Sequence, residues 1–392
     1  MSDQSIVIVG AKRTAIGSFQ GQFSDLSAID LGAATITAAV EHAAVQGGEI
    51  DEVIMGCVLP AGLGQAPARQ AALQAGLPTG TVCMTINKVC GSGLKAVMLG
   101  HDAIKAGTSN IVVAGGMESM TNAPYLLPRA RGGLRMGHAQ ALDHMFWDGL
   151  QSPYDQQMMG VFGDMCADRY AFSRSDQDAF AIESVERAQR AVLEGDFADE
   201  ITPVTVTSRR GEQVCAEDEE PHRCVIGKVA LLKPAFRKDG TVTAANASKI
   251  SDGAAATVLM TAAEAGKCGI EPLARIVAHA SFSQEPEWFT TAPSTAVAMV
   301  VEKAGWTMGE VDLFEINEAF AAVTMAAMKD NGIDHAKVNV NGGACALGHP
   351  IGASGARILV TLIYALRKRG LRRGVASLCI GGGEAVAIAV EI

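Results

Sequence analysis

The chain has 392 residues, of which 48% are apolar and 19% charged, with a formal net charge of -10. That length exceeds one ordinary hydrophobic core, so two or three domains are expected, and the acidic balance argues against general nucleic-acid binding and against a basic membrane surface. The nine cysteines are odd in number and lack a C-x-x-C pair, which weighs against zinc and redox motifs and favours reduced thiols in the cytoplasm.

The opening stretch MSDQSIVIVGAKRT has no basic region before an apolar run and no Arg-rich amphipathic segment. No apolar run reaches the ~18 residues that span a bilayer, so a soluble, unexported chain is expected. Short β-branched runs then alternate with Ala-rich helical patterns. Ser5–Val9 precedes Ala28–Ala44, Glu52–Val58 precedes Ala68–Ala75, and Cys83–Val89 precedes Leu94–Ala106, followed by Asn110–Ala114. This alternation predicts crossover units around a largely buried sheet. Within TINKVCGSGLKAV, Thr85 to Val97, Cys90 stands at a strand-to-helix turn flanked by Gly91 and Gly93. There, helix amides and the helix dipole would lower a thiol pKa that is about 8.5 in free cysteine. A buried structural thiol is the competing reading.

From Met117 to about Ala247 the rhythm breaks into polar, Met-rich and Arg/Gly-rich stretches, which read as an inserted cap over a site. One clear helix is predicted there, Ser175–Leu193, opened by a Ser175-x-x-Asp178 cap. The rhythm returns in Ala274–Ala280, Ser294–Lys303, Leu313–Ile316, Ala319–Asn331, Lys337–Val340, Ala353–Arg369, Val375–Ile380 and Ala385–Glu391. INKVCGSGLKAV and VNVNGGACALGHPIGASGARILV both pass from a strand through Asn and a Gly-rich turn into a helix, so the chain reads as two related halves.

Three stretches in the second half join Cys90 as chemical candidates. In EINEAFA, Asn317 lies at the carboxyl end of a strand, where it is either a helix cap or a ligand-facing group. In NVNGGACALGHPIGASG, five glycines surround His349 and let a substrate approach the imidazole. In SLCIGGGEAVA, Cys379 ends a strand and Gly381, Gly382 and Gly383 offer exposed amides, a hairpin turn, or both. Two cysteines, a histidine and an asparagine at such positions suggest a nucleophile, a base and oxyanion donors. There is no G-x-x-x-x-G-K-[ST], no G-x-S-x-G and no convincing dinucleotide fingerprint after Val9.

NKVCGSGLKAV, NEAFA, NGGACALGHPIGASGAR and CIGGGEA resemble, in order, the four active-site blocks of the thiolase family. MGCVLPAGLGQAPARQAAL, AGGMESM, RSDQDAFAIES and LKPAFRKDGTVTAANASKISDGAAA resemble its other signatures, so the likeness runs along the whole chain. It is nearest to the members that join two acetyl-CoA into acetoacetyl-CoA and CoA. The resemblance implies an α/β fold with a five-layer α-β-α-β-α core of two similar halves and an inserted loop domain. The expected units are residues 1–117 with about 250–271, the loop domain 118–249, and residues 272–392.

The resemblance also implies roles. Cys90 takes the acyl group, and Cys379 removes a proton from the second acetyl-CoA. His349 activates Cys90 and, with a water held by Asn317, polarises the thioester carbonyl. The amides of Cys90 and Gly381 form the other oxyanion site. CoA contacts carry over to Arg223, Ser248, Ala244, Leu150, Met158, Ala319 and Phe320. Coenzyme A thioesters are then substrates, with no permanently bound cofactor and no metal, and a homotetramer is implied. Arg223 opens a basic stretch with Lys228, Lys233, Arg237 and Lys238, which suits an anionic ligand. The loop Ala123–Met136 suits a contact arm between subunits.

Three positions depart from the family's pattern. Met158 stands where many acetoacetyl-forming members carry histidine and resembles the degradative members, so a 3-ketoacyl-CoA thiolase of longer-chain preference is the alternative. Lys249 stands where a small residue is usual, and Glu384 follows the triple glycine. A silent acyl-CoA-binding relative would not need Cys90, His349 and Cys379 together, and a carrier-protein ketosynthase would pair its cysteine with two histidines.

Overall fold

The computed structural model describes residues 4–208 and 211–392. Residues 1–3 of the expected N-terminal half and residues 209 and 210 of the expected loop domain lie outside it. The first half contains β1 (Ile6–Thr14), α1 (Ala28–His42), β2 (Glu52–Gly56), α2 (Pro67–Gln74), β3 (Val82–Ile86), α3 (Ser92–Ala106) and β4 (Val112–Ser119). The chain then leaves the sheet for a segment whose longest helices are α4 (Met159–Tyr170) and α5 (Arg174–Leu193). It returns as β5 (Ser251–Thr261). The second half runs β6 (Ala274–Ser283), α6 (Ala292–Lys303), β7 (Leu313–Ile316), α7 (Ala321–Asn331), α8 (Ser354–Arg369), β8 (Arg373–Ile380) and β9 (Glu384–Glu391).

The two halves repeat one strand order. The first reads β1-β5-β4-β2-β3 and the second β6-β9-β8-β7. In each, a parallel part meets antiparallel neighbours: β2 pairs in parallel with β3 and β4, and β7 with β8, whereas β5 and β9 run antiparallel to both their partners. Two pairs, Val7 with Arg275 and Ile8 with Ala274, join the halves at β1 and β6. Helices α1 and α2 cover one outer face and α6 and α7 the other, while α3 and α8 pack together between the sheets. That is the expected five-layer order.

The central layer is tight because glycine permits it. A Cβ at Gly93 would lie 2.8 Å from the Ala356 nitrogen, and one at Gly355 would lie 2.4 Å from that of Leu94. Side chains at the crossing would push the helices apart and open the densely packed core.

Two sequence expectations shift. The expected strand Lys337–Val340 reduces to one parallel bridge between Phe314 and Val338. Asn339 turns away at φ +48, and its side-chain amide pairs with both backbone groups of Ile316 at 2.9 and 2.8 Å, replacing a ladder rung. The cap of α5 is Ser173, not Ser175, because Ser173 and Asp176 form the reciprocal capping box. The small-residue segment Ser251–Thr261 is a strand buried along nearly its whole length.

The segment between β4 and β5 is tied to the first sheet by charge. Arg13 in β1, fully buried, bonds Glu200 at 2.6 Å and Asp218 at 2.7 and 2.9 Å. Truncating one member of such a group would strand a buried charge.

Candidate active site

Cys90 lies immediately before α3. The turn is strained: Val89 is β-branched yet sits at φ +45, a conformation such residues avoid. Ser92 holds it there, its hydroxyl donating to the Val89 carbonyl at 2.6 Å and accepting from the Lys88 amide at 2.8 Å. Lys88 is anchored in turn by an ion pair with Glu384, which gives the residue after the triple glycine a structural partner.

The Cys90 thiol accepts from the amides of Gly381 and of Cys90 itself. Burial nevertheless dominates and pushes its pKa up to about 11, with the two amides pulling the other way. The depressed pKa expected from a helix terminus is therefore not the resting condition. In this desolvated position the proton must be removed by a neighbour.

The imidazole expected in that role is set by the loop before α8. His349 is buried, and its Nδ1 lies 2.5 Å from the Ser354 hydroxyl. Ser354 donates its own proton to the Pro350 carbonyl at 2.8 Å, so it accepts from His349, and the network assigns the imidazole proton to Nδ1. The Nε2 lone pair then faces Asn317 Nδ2 at 3.5 Å. Burial, with a smaller push from Arg357, lowers the His349 pKa to about 3, leaving a neutral ring. The side-chain oxygen of Asn317 is buried without a protein donor among the described residues.

Cys379 ends β8 and is buried; burial and the nearby Cys90 raise its pKa well above the ordinary value. The hairpin and amide readings of the triple glycine hold together. Cys379 pairs with Ala385 and Ile380 with Glu384, while Gly381 between them aims its amide at Cys90. Gly383 sits at φ +95, where a Cβ would come within 2.3 Å of the Gln284 carbonyl.

A cavity of about 530 Å³ has His349 in its wall. Six of the seven expected ligand contacts line it: Arg223, Ser248, Ala244, Leu150, Met158 and Phe320. Ala319 does not, and instead accepts the Ser248 amide at 3.0 Å. Cys90, Cys379, Asn317 and Gly381 lie off this lining; Gly381 lines a smaller cavity of about 260 Å³, and Met159 borders both. The expected basic stretch contributes only Arg223 to the cavity, since Arg237 is paired with Asp168 at 2.6 Å.

Lys249 also lines the cavity. Its ammonium reaches the carbonyls of Ala244, Ala245 and Ala247 at 2.5, 3.4 and 3.2 Å, clasping the loop that carries Ser248. Sequence reasoning missed two further supports. Glu118, buried, accepts from the amides of Val58, Leu59 and Gly352 at 3.0, 3.2 and 2.9 Å, fastening the loop after His349 to the first half. Burial lifts its pKa to about 7, against the pull of those amides. Glu318, beside Asn317, binds Ser184, Asn339 and the Cys345 amide at 2.7, 2.8 and 3.0 Å. A carboxylate inside an otherwise apolar or Gly-rich motif was the available signal.

The thiolase N-terminal domain model matches residues 6–263 and the thiolase C-terminal domain model residues 270–392. The chain belongs to the thiolase family. It is 51% identical over 387 residues to an acetyl-CoA acetyltransferase of Pseudomonas aeruginosa, covering 98% of each chain. It is 50% identical over 392 residues to one of Rhizobium meliloti, covering 100% of both. The crystal structure of the Bacillus anthracis acetyl-CoA acetyltransferase superposes with a TM-score of 0.97 at 42% identity, over 99% of this thiolase and 98% of that chain.

Proposed function

We propose that this thiolase is an acetyl-CoA C-acetyltransferase, condensing two acetyl-CoA to acetoacetyl-CoA and CoA and running thiolysis in reverse. The observation that carries this reading is two neighbouring thiols, Cys90 partly buried and held by the Gly381 amide and Cys379 fully buried, with a neutral histidine in the wall of an adjoining cavity. His349 Nε2 takes the Cys90 proton, and the thiolate attacks the acetyl-CoA carbonyl; the CoA thiolate leaves with the proton of Cys379, giving free CoA, a Cys379 thiolate and an acetyl thioester on Cys90. His349, with a water on Asn317, polarises the second acetyl-CoA thioester, and Cys379 takes the α-proton. The resulting carbanion attacks the Cys90 thioester, whose oxyanion is held by the amides of Cys90 and Gly381; the Cys90–acyl bond breaks, acetoacetyl-CoA leaves, and the Cys90 thiolate takes its proton back from His349.

Arg223 and the Lys249-clasped loop suit the anionic, amide-rich CoA chain, with Met158, Leu150 and Phe320 along its apolar part. Residues 118–249 act as the loop domain over the site, between an N-terminal half of 1–117 with 250–271 and a C-terminal half of 272–392. All nine cysteines are unpaired, which supports a reducing compartment such as the cytoplasm. No helix among the described residues is long and apolar enough to cross a membrane. Exposed Tyr125, Leu127, Leu134 and Met136 support a subunit contact arm and a homotetramer.

Incubation with acetyl-CoA alone tests the reading. Free CoA and acetoacetyl-CoA should appear together, with an acetyl adduct mapped to Cys90. Absence of both products, or faster thiolysis of a ten-carbon 3-ketoacyl-CoA than of acetoacetyl-CoA, would overturn it.

A further inference from the structure

Far along α3 from Cys90, three side chains with metal-binding atoms meet. His101 and Asp102 project from the later turns of α3, and His279 reaches them from β6 in the other half. Asp102 Oδ1 lies 3.0 Å from His101 Nδ1 and 2.8 Å from His279 Nε2, and the three ligand atoms all lie within 4.8 Å of one another. Neighbouring helix positions do not normally face each other, so the convergence of His101 and Asp102 on one point with a strand residue 177 positions away is a tertiary arrangement. Among the described residues, the ion-pair partners of Asp102 are these two histidines. Among the described residues no lysine or arginine pairs with its carboxylate, although Lys95 acts electrostatically on His279 and the Lys303 ammonium donates to the His279 carbonyl at 3.3 Å.

We propose that His101, Asp102 and His279 form a binding site for a first-row divalent ion of the zinc, cobalt or nickel type. Two imidazole nitrogens and one carboxylate oxygen favour such ions over Mg²⁺ or Ca²⁺, which take oxygen-rich shells. A tetrahedral ion with bonds near 2.1 Å holds its ligands about 3.4 Å apart and leaves a fourth position for water. The present spacings reach that by small side-chain rotations. His101 and His279 are partly buried and Asp102 is half-exposed, so an ion can enter from solvent. Position 102 lies roughly 15 Å along the helix from its start beside Cys90, and the site therefore bridges the two halves without touching the reacting atoms. Its expected consequence is added stability.

Chelator-treated full-length protein, titrated with Co²⁺, tests this. One equivalent should produce visible ligand-field bands of a nitrogen/oxygen site without the near-ultraviolet thiolate band that Cys90 or Cys379 would give, and should raise the melting temperature. Mg²⁺ should do neither. His279→Gln and, separately, His101→Gln should weaken binding by at least the roughly 10- to 100-fold seen when merely outer partners are lost. Two variants at different elements keep the comparison available if one fails to fold. Thiolate bands only, no saturable absorbance, or unchanged Co²⁺ affinity in a folded variant would each overturn the site.

Discussion

Replacing Ser354 by alanine isolates the orientation of His349 from everything else in the site. The hydroxyl accepts from Nδ1 at 2.5 Å and donates to the Pro350 carbonyl at 2.8 Å. That carbonyl keeps the amides of Ala353 and Ser354, each at 2.9 Å, so the substitution orphans only the imidazole N–H. An unpaired buried donor costs about 1–3 kcal/mol. The ring can avoid part of that cost by moving its proton to Nε2, which removes the lone pair needed for Cys90. Each 1.36 kcal/mol of lost transition-state stabilisation is tenfold in rate, so kcat is expected to fall about 5- to 150-fold. Because Ser354 does not line the cavity, the KM for acetyl-CoA should stay near wild type. Single-turnover acetylation followed by intact mass reads the step directly. A folded Ser354→Ala enzyme that acetylates Cys90 at the wild-type rate would refute the assignment of the proton to Nδ1.

Replacing Cys379 with serine should leave the acetyl adduct on Cys90 but cut acetoacetyl-CoA formation by roughly 10²–10⁴-fold, the usual contribution of a dedicated base; near wild-type condensation would remove Cys379 from that role. Gly93→Ala places a Cβ 2.8 Å from the Ala356 nitrogen and 3.1 Å from the carbonyls of Gly352 and Ala353, so overpacking at the α3/α8 crossing should cost about 1–3 kcal/mol by denaturant unfolding. His349 has a native pKa of about 3 against an ordinary 6.5. The unfolded chain therefore binds the extra proton between those values, and this residue makes stability fall as pH drops below about 6.5, by up to ~1.4 kcal/mol per unit, with no effect above it. Unfolding at pH 5 and pH 7 in wild type and His349→Gln should show that slope shrinking in the variant. Sedimentation velocity at micromolar concentration should show a tetramer, and a monomer there would defeat the contact-arm reading.

Much of this thiolase was legible because its chemistry sits at strand ends in Gly-rich turns. Cys90, Asn317, His349 and the Cys379 hairpin could be picked from residue type and local pattern alone, and the strand-helix alternation specified crossover units in two halves. Backbone conformation at such turns is dictated over a few residues, which a sequence displays directly. The family likeness added the layer order and the individual roles. What sequence could not supply depends on partners distant in the chain. The Cys90 thiol sits at a helix start, which alone favours a thiolate, yet tertiary burial outweighs that and holds the proton on. Likewise Asn339 breaks an expected strand because Ile316, 23 positions earlier, offers its backbone to the amide. Arg237 leaves the basic stretch because Asp168 claims it. Desolvation and pairing are set by the density of neighbours in space, a property that exists only once the layers have closed.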